Sequence, residues 1–156
     1  MFELSRAWSD LPYLLTGVPL ALGLTFGAFG LGTIIALPMA VVRMARPPII
    51  NAVVVGWIEF FRTTPPLVHI MWAYYVLPMV TDLRLSAVTV VIVALGANAS
   101  AQMAEIFRAG LQSIPRGQTE AAKVLGLSGW ARLRYVTLPQ AVRLIMAPSV
   151  NAFVSL

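Results

Sequence analysis

Asn98, Gln102 and Glu105 stand at i, i+4 and i+7 in an otherwise apolar stretch, so a helix lays them out as one stripe. Two amides and a carboxylate in that order can hydrogen-bond a neighbouring helix or the polar groups of a passing solute. In lipid such a stripe turns toward protein or water, because a central charge costs about 2.5–3.5 kcal/mol on an insertion scale. Thr63 and Thr64 precede Pro65-Pro66 and offer two hydroxyls where proline frees backbone groups. These five residues are the candidate solute path. Glu59-Phe60-Phe61-Arg62 and Glu105-Ile106-Phe107-Arg108 repeat one acid-to-base spacing, which lets each pair meet on a helix face. His69 has no second ligand-type side chain at coordinating distance in sequence, so it reads as a buried, hydrogen-bonded imidazole and not as a metal ligand. Trp57, Trp72, Tyr74 and Tyr75 can stack on a solute or face lipid and headgroups.

Other chemistries find no residues. There is no cysteine, and one histidine cannot serve a triad plus a metal. Gly-x-Ser-x-Gly and His-Glu-x-x-His are both missing. A phosphate-binding loop needs Lys followed by Ser or Thr, yet Lys123, the one lysine, precedes Val124. No catalytic, cofactor-binding or metal-binding residue is assigned, and the chain is expected not to be an enzyme; any ATP and Mg belong to a separate partner.

The elements that position these residues follow from the gaps between charges. Of 156 residues 59% are hydrophobic and only 11% charged, against about 25% charged in a soluble domain, so lipid is the expected solvent. Asp10 and Arg43 bound 32 uncharged residues. This predicts a first span over 16–42, after an interfacial segment carrying Trp8 and Tyr13; Glu3 and Asp10 before so long a run argue against a cleaved signal peptide. A surface helix over 50–62 breaks at Thr63-Thr64-Pro65-Pro66, and a second span follows over 63–80. A third runs over 85–108. Within the first span Gly23 and Gly27 form a small-xxx-small pair, a spacing that lets helices approach closely. The 13 uncharged residues after Arg143 are too few to cross and predict the start of a fourth span over 140–156, incomplete at the C-terminus. The fold class is all-α, a polytopic transmembrane bundle.

Charge asymmetry orients it. If the connector over 110–139 is cytoplasmic, Arg43, Arg46, Arg108, Arg116, Lys123, Arg132, Arg134 and Arg143 lie inside, against Arg6 and Arg84 outside, with Arg62 near the inner face. The amino terminus is then outside. The same asymmetry gives the net charge of +5 a membrane explanation and removes the need for nucleic acid.

The connector itself reads as two short helices and a turn. Gln118 to Leu125 are mostly good helix formers, Gly126 suits the left-handed residue that ends a helix, and Ser128 can cap a second helix from Gly129 to about Tyr135. Ala121 and Ala122 keep one face low for the approach of another protein. Glu120-Ala121-Ala122, Gly126 four residues on, and Val136-Thr137-Leu138-Pro139 resemble the signature of membrane subunits of ATP-binding-cassette importers. Ile58-Glu59-Phe60-Phe61-Arg62-Thr63-Thr64-Pro65, Ala104-Glu105-Ile106-Phe107-Arg108-Ala109-Gly110 and Ile114-Pro115-Arg116-Gly117-Gln118 are similar to the polar-amino-acid branch, which includes permeases for solutes such as ectoine.

The resemblance implies a permease subunit for polar amino acids or similar zwitterions in the bacterial plasma (inner) membrane. It implies that the connector is a coupling helix seated on a cytoplasmic ATPase, with Glu120, Ala121, Ala122 and Gly126 as its contact residues. It also implies a second permease subunit, an external solute-binding protein, and alternation between outward-open and inward-open states.

Overall fold

The computed structural model describes residues 4–156, with side chains from Leu11 onward, and every element among the described residues is helical. Trp8, with Glu3, Arg6 and Asp10, falls outside the described side chains. α1 (Leu4–Ala45) is one unbroken helix of 42 residues, longer at both ends than the expected span. The predicted interfacial segment is therefore continuous with it. Pro12, Pro19 and Pro38 sit inside without breaking it, as prolines do in apolar helices whose neighbours re-satisfy the freed backbone. At 1.5 Å per residue α1 is about 63 Å long, roughly twice a hydrocarbon core, so part of it must project beyond the apolar layer.

A tight turn through Arg46 (φ 54°) and Pro47 leads into α2 (Pro48–Thr63). Thr64 and Pro65 are extended, which breaks the helix at the prolines, and α3 (Pro66–Met71) begins on the second of them. Trp72–Val76 then widen into a π turn that runs into α4 (Leu77–Thr81). Ser86 opens α5 (Ala87–Gln112), its Oγ accepting from the Thr89 N–H at 3.2 Å; the helix runs four residues beyond Arg108. α6 (Arg116–Val124) and α7 (Gly129–Arg132) form an elbow. From α7 the chain stays helical through a second π turn, Leu133–Thr137, into α8 (Leu138–Val154).

That continuity corrects the expected stop near Tyr135. Leu77-Pro78 and Leu138-Pro139 each follow a widened turn, in which the leucine N–H bonds the carbonyl five residues back. An ordinary turn would drive the proline ring into the carbonyl four residues back; the wider one relieves that conflict and lets the helix pass.

α5 is the central helix, packed on α1, α2, α3 and α8. Its crossing with α1 is closest at Gly32 and Gly96. A Cβ on Gly32 would lie 2.5 Å from Ala99 Cβ and 2.7 Å from Gly96 O. Glycine is what allows this approach. The predicted Gly23/Gly27 pair is not the contact: a Cβ on Gly23 would meet nothing within 4 Å, and one on Gly27 only Ile92 at 3.4 Å. Below the crossing Ala36, Met39, Ile58, Ala101, Met103, Ala104 and Ala152 form a buried cluster. Leu11–Ala45 and α5 are long and apolar enough to cross a membrane; Pro66–Thr81 is apolar but shorter. Leu14, Leu20, Phe26 and Ile34 on α1 are exposed, an apolar surface far larger than a water-soluble monomer carries.

Candidate solute cleft and elbow

The predicted stripe is divided between holding helices together and lining a cleft. Asn98 is buried, and its Nδ2 donates to Phe61 O at 2.6 Å. In a regular helix Phe61 O would accept from residue 65, which is proline and has no N–H. Asn98 thus supplies, across a helix interface, the donor that Pro65 removes. Its Oδ1 accepts from Gln102 Nε2 at 2.8 Å. Next to it Trp57 Nε1 donates to Ser100 Oγ at 3.1 Å, and that hydroxyl donates to Ala97 O at 2.7 Å.

Glu105 joins three elements. Its Oε1 accepts from Arg43 Nε of α1 at 3.1 Å, and its Oε2 accepts from Arg108 Nε at 2.8 Å and Nη2 at 2.6 Å. Arg43 Nη1 reaches Asn51 Oδ1 of α2 at 3.3 Å, while Arg108 Nη1 donates to Gln112 Oε1 at 2.6 Å. The carboxylate therefore ties α1 to α5, and Arg43 carries the link on to α2. The two acid-base repeats differ here: Glu105 pairs with Arg108, whereas Glu59 and Arg62 form no ion pair among the described residues. Both are exposed on α2.

Between α2, α5 and α8 opens a cleft of about 860 Å³ lined by Arg62, Gln102, Glu105, Arg108, Ser113 and Pro148, among others. It brings Gln102 and Glu105 together. Asn98 lies behind them, and the two threonines do not join. Thr63 is exposed and its Oγ1 donates to Glu59 O at 2.7 Å; Thr64 lines a different, largely aromatic cavity with Trp57, Trp72 and His69. Tyr74 and Tyr75 are exposed and stack edge to face, 5.0 Å apart. His69 corrects its expectation in one respect. It is buried, 7% exposed, but neither ring nitrogen has a hydrogen-bond partner.

At the elbow, α6 ends in a Schellman motif. Gly126 N–H bonds Lys123 O at 3.0 Å, Leu127 N–H bonds Ala122 O at 3.1 Å, and Gly126 itself has φ 74°. Ser128 Oγ accepts from Ala131 N–H at 3.3 Å and starts α7. Glu120 and Ala121 are exposed, but Ala122 is 3% exposed and turned into the chain, so the alanine pair does not present one open face. The outward apolar groups are Val124, Leu125 and Trp130, which the sequence reading did not single out. Their signal was that they are apolar side chains beside the caps of a polar elbow. Arg43 bounds the first span and enters the charge count, and an arginine closing a 32-residue uncharged run is also placed to meet an acid at the membrane edge. Among the described residues no three His, Cys, Asp or Glu side chains gather as metal ligands would.

Residues 29–156 match the family model described as the binding-protein-dependent transport system inner membrane component. The chain belongs to this family. It is 36% identical to the glutamine transport system permease protein GlnP of Escherichia coli (strain K12), over 98% of this chain and 70% of that protein. It is 32% identical to the probable amino-acid ABC transporter permease protein YckA of Bacillus subtilis (strain 168), over 100% of this chain and 69% of that one. The crystal structure of an amino acid ABC transporter with histidines superposes with TM-score 0.88 at 34% identity, covering 99% of this chain and 72% of that chain. The MetNI methionine ABC transporter in inward-facing conformations, 22% identical with TM-score 0.74, shares the fold.

Proposed function

We propose that this family member is the permease subunit of an ATP-driven importer for polar amino acids or similar zwitterions, in the bacterial plasma membrane with its amino terminus outside. Its spans are the central part of α1, the α3–α4 unit that follows the surface helix α2, α5, and a fourth that α8 enters. It pairs with a second permease subunit, takes solute from an external binding protein and leaves ATP hydrolysis, with Mg, to a cytoplasmic ATPase. Likeness to permeases named for glutamine and amino acids supports the solute class.

The observation that carries the reading is the elbow: a Schellman-capped helix on the arginine-rich side, with Ala121, Val124 and Leu125 exposed beside Glu120. Such a rigid knob can pass a push from a partner into the continuous α7–α8 rod and so bias two bundle states. In the cleft, Arg62 offers guanidinium donors to a solute carboxylate, and the Gln102 side-chain carbonyl offers an acceptor to an ammonium group. The test is a Val124→Cys chain co-expressed with cysteine-substituted ATPase and reconstituted with its binding protein. Crosslinking together with ATP-dependent L-glutamine uptake is expected. Absence of a crosslink with every co-expressed ATPase would overturn the coupling assignment.

A further inference from the structure

The second cavity has a chemistry unlike that of the polar cleft. It is a partly open cavity of about 560 Å³ between α2, α3 and α5, with Trp57, Phe60 and Trp72 themselves exposed, and its size is within the range of small-molecule sites, roughly 300–1,000 Å³. Four aromatic rings wall it: Trp57, Phe60, Phe61 and Trp72. Trp57 is held by its bond to Ser100 and packs 4.5 Å from Phe61; Phe61 in turn lies 4.6 Å from the His69 ring. Apart from His69, no ionisable side chain lines the cavity, and Thr64 brings the one hydroxyl.

His69 is the feature without an internal explanation. A buried imidazole with two unpaired nitrogens forfeits hydrogen bonds that almost every buried polar group makes. A half-turn about Cβ–Cγ exchanges its nitrogens with ring carbons and breaks no hydrogen bond, since there is none to break. As it stands each nitrogen is shielded by the residues around it, so the half-turn, or a small shift of the ring, is what would present a donor or an acceptor to an occupant of the cavity.

We propose that this cavity binds the side chain of a solute bearing an aromatic ring and one hydrogen-bonding hydroxyl or N–H, with the ring among the four aromatics and the polar group on the His69 imidazole. A cation fits poorly, because no carboxylate lines the walls to replace its hydration. A purely aliphatic occupant would leave the imidazole unpaired. The proposal rests on the importer reading and adds to its solute class amino acids with a polar-tipped ring.

The test uses the permease, with Trp8 and Trp130 replaced by phenylalanine, and its partner ATPase in lipid nanodiscs, titrated with L-tyrosine, L-phenylalanine, L-glutamine and n-dodecanol while the fluorescence of Trp57 and Trp72 is followed. Saturable quenching by L-tyrosine is expected, about tenfold tighter than by L-phenylalanine, which has the ring without the hydroxyl. His69→Leu should remove that tenfold difference, while His69→Gln should restore part of it. Equal affinity for the two amino acids, or a His69→Leu variant that still distinguishes them, would overturn the proposal. Quenching by n-dodecanol alone would overturn it in favour of a lipid chain. L-glutamine uptake without any L-tyrosine binding would overturn it too, and would leave the importer reading standing.

Discussion

Adding one methyl group at Gly32 should separate α1 from α5. The new Cβ would fall 2.5 Å from Ala99 Cβ, 2.7 Å from Gly96 O and 2.9 Å from Ser100 N, and none of these is the end of a flexible side chain. Relief requires the helix axes to move apart by about 1 Å, which loosens the packing along the whole crossing; overpacking of this kind costs about 1–3 kcal/mol. Helix propensity works the other way, favouring alanine over glycine by up to about 1 kcal/mol. The net expectation for Gly32→Ala is a loss of about 1–2 kcal/mol. Gly23→Ala is the internal control: nothing lies within 4 Å of its Cβ, so only the propensity acts and the change should be neutral or stabilising. Thermal unfolding of both variants in the same detergent, followed by circular dichroism, separates the two cases. If Gly32→Ala melts with or above the parent while Gly23→Ala falls, the assignment of the closest crossing is wrong.

Three further outcomes follow from the site. Asn98→Leu strands Phe61 O beside Pro65 and should destabilise by about 1–3 kcal/mol in the same melting assay, whereas Asn98→Gln should recover part of the loss. Glu105→Gln removes the charge shared by Arg43 and Arg108; because these side chains are 16–26% exposed, the loss should be about 1–2 kcal/mol and should shrink in the Arg43→Met background, measured as a double-mutant cycle. Ala121→Cys should react promptly with a maleimide and Ala122→Cys only slowly, a difference that mass spectrometry of timed samples reads directly.

Much of this architecture was legible because membrane helices obey few rules. The proline pair at 65–66 marked the break between α2 and α3, and Gly126 and Ser128 marked the two caps of the elbow, since each of those signals acts within a few residues. What stayed hidden was non-local. Whether Gly23 or Gly32 meets another helix depends on the angle at which α5 crosses, and no spacing within α1 carries that angle. The sequence predicts a helix end near Tyr135, but the π turn ahead of Pro139 absorbs the ring and the helix continues. The stripe of Asn98, Gln102 and Glu105 was legible as a stripe; that Asn98 faces Phe61 O, and Glu105 faces Arg43, depends on partners 37 and 62 residues away.

Topology is the most direct test of the account, because an ATPase can drive this bundle only from the side on which the elbow lies. Val124→Cys in intact spheroplasts, probed with a membrane-impermeant maleimide, should remain unlabelled until the membrane is opened, and the partner ATPase should then protect it. Labelling of Val124→Cys in sealed spheroplasts would contradict the account at its root.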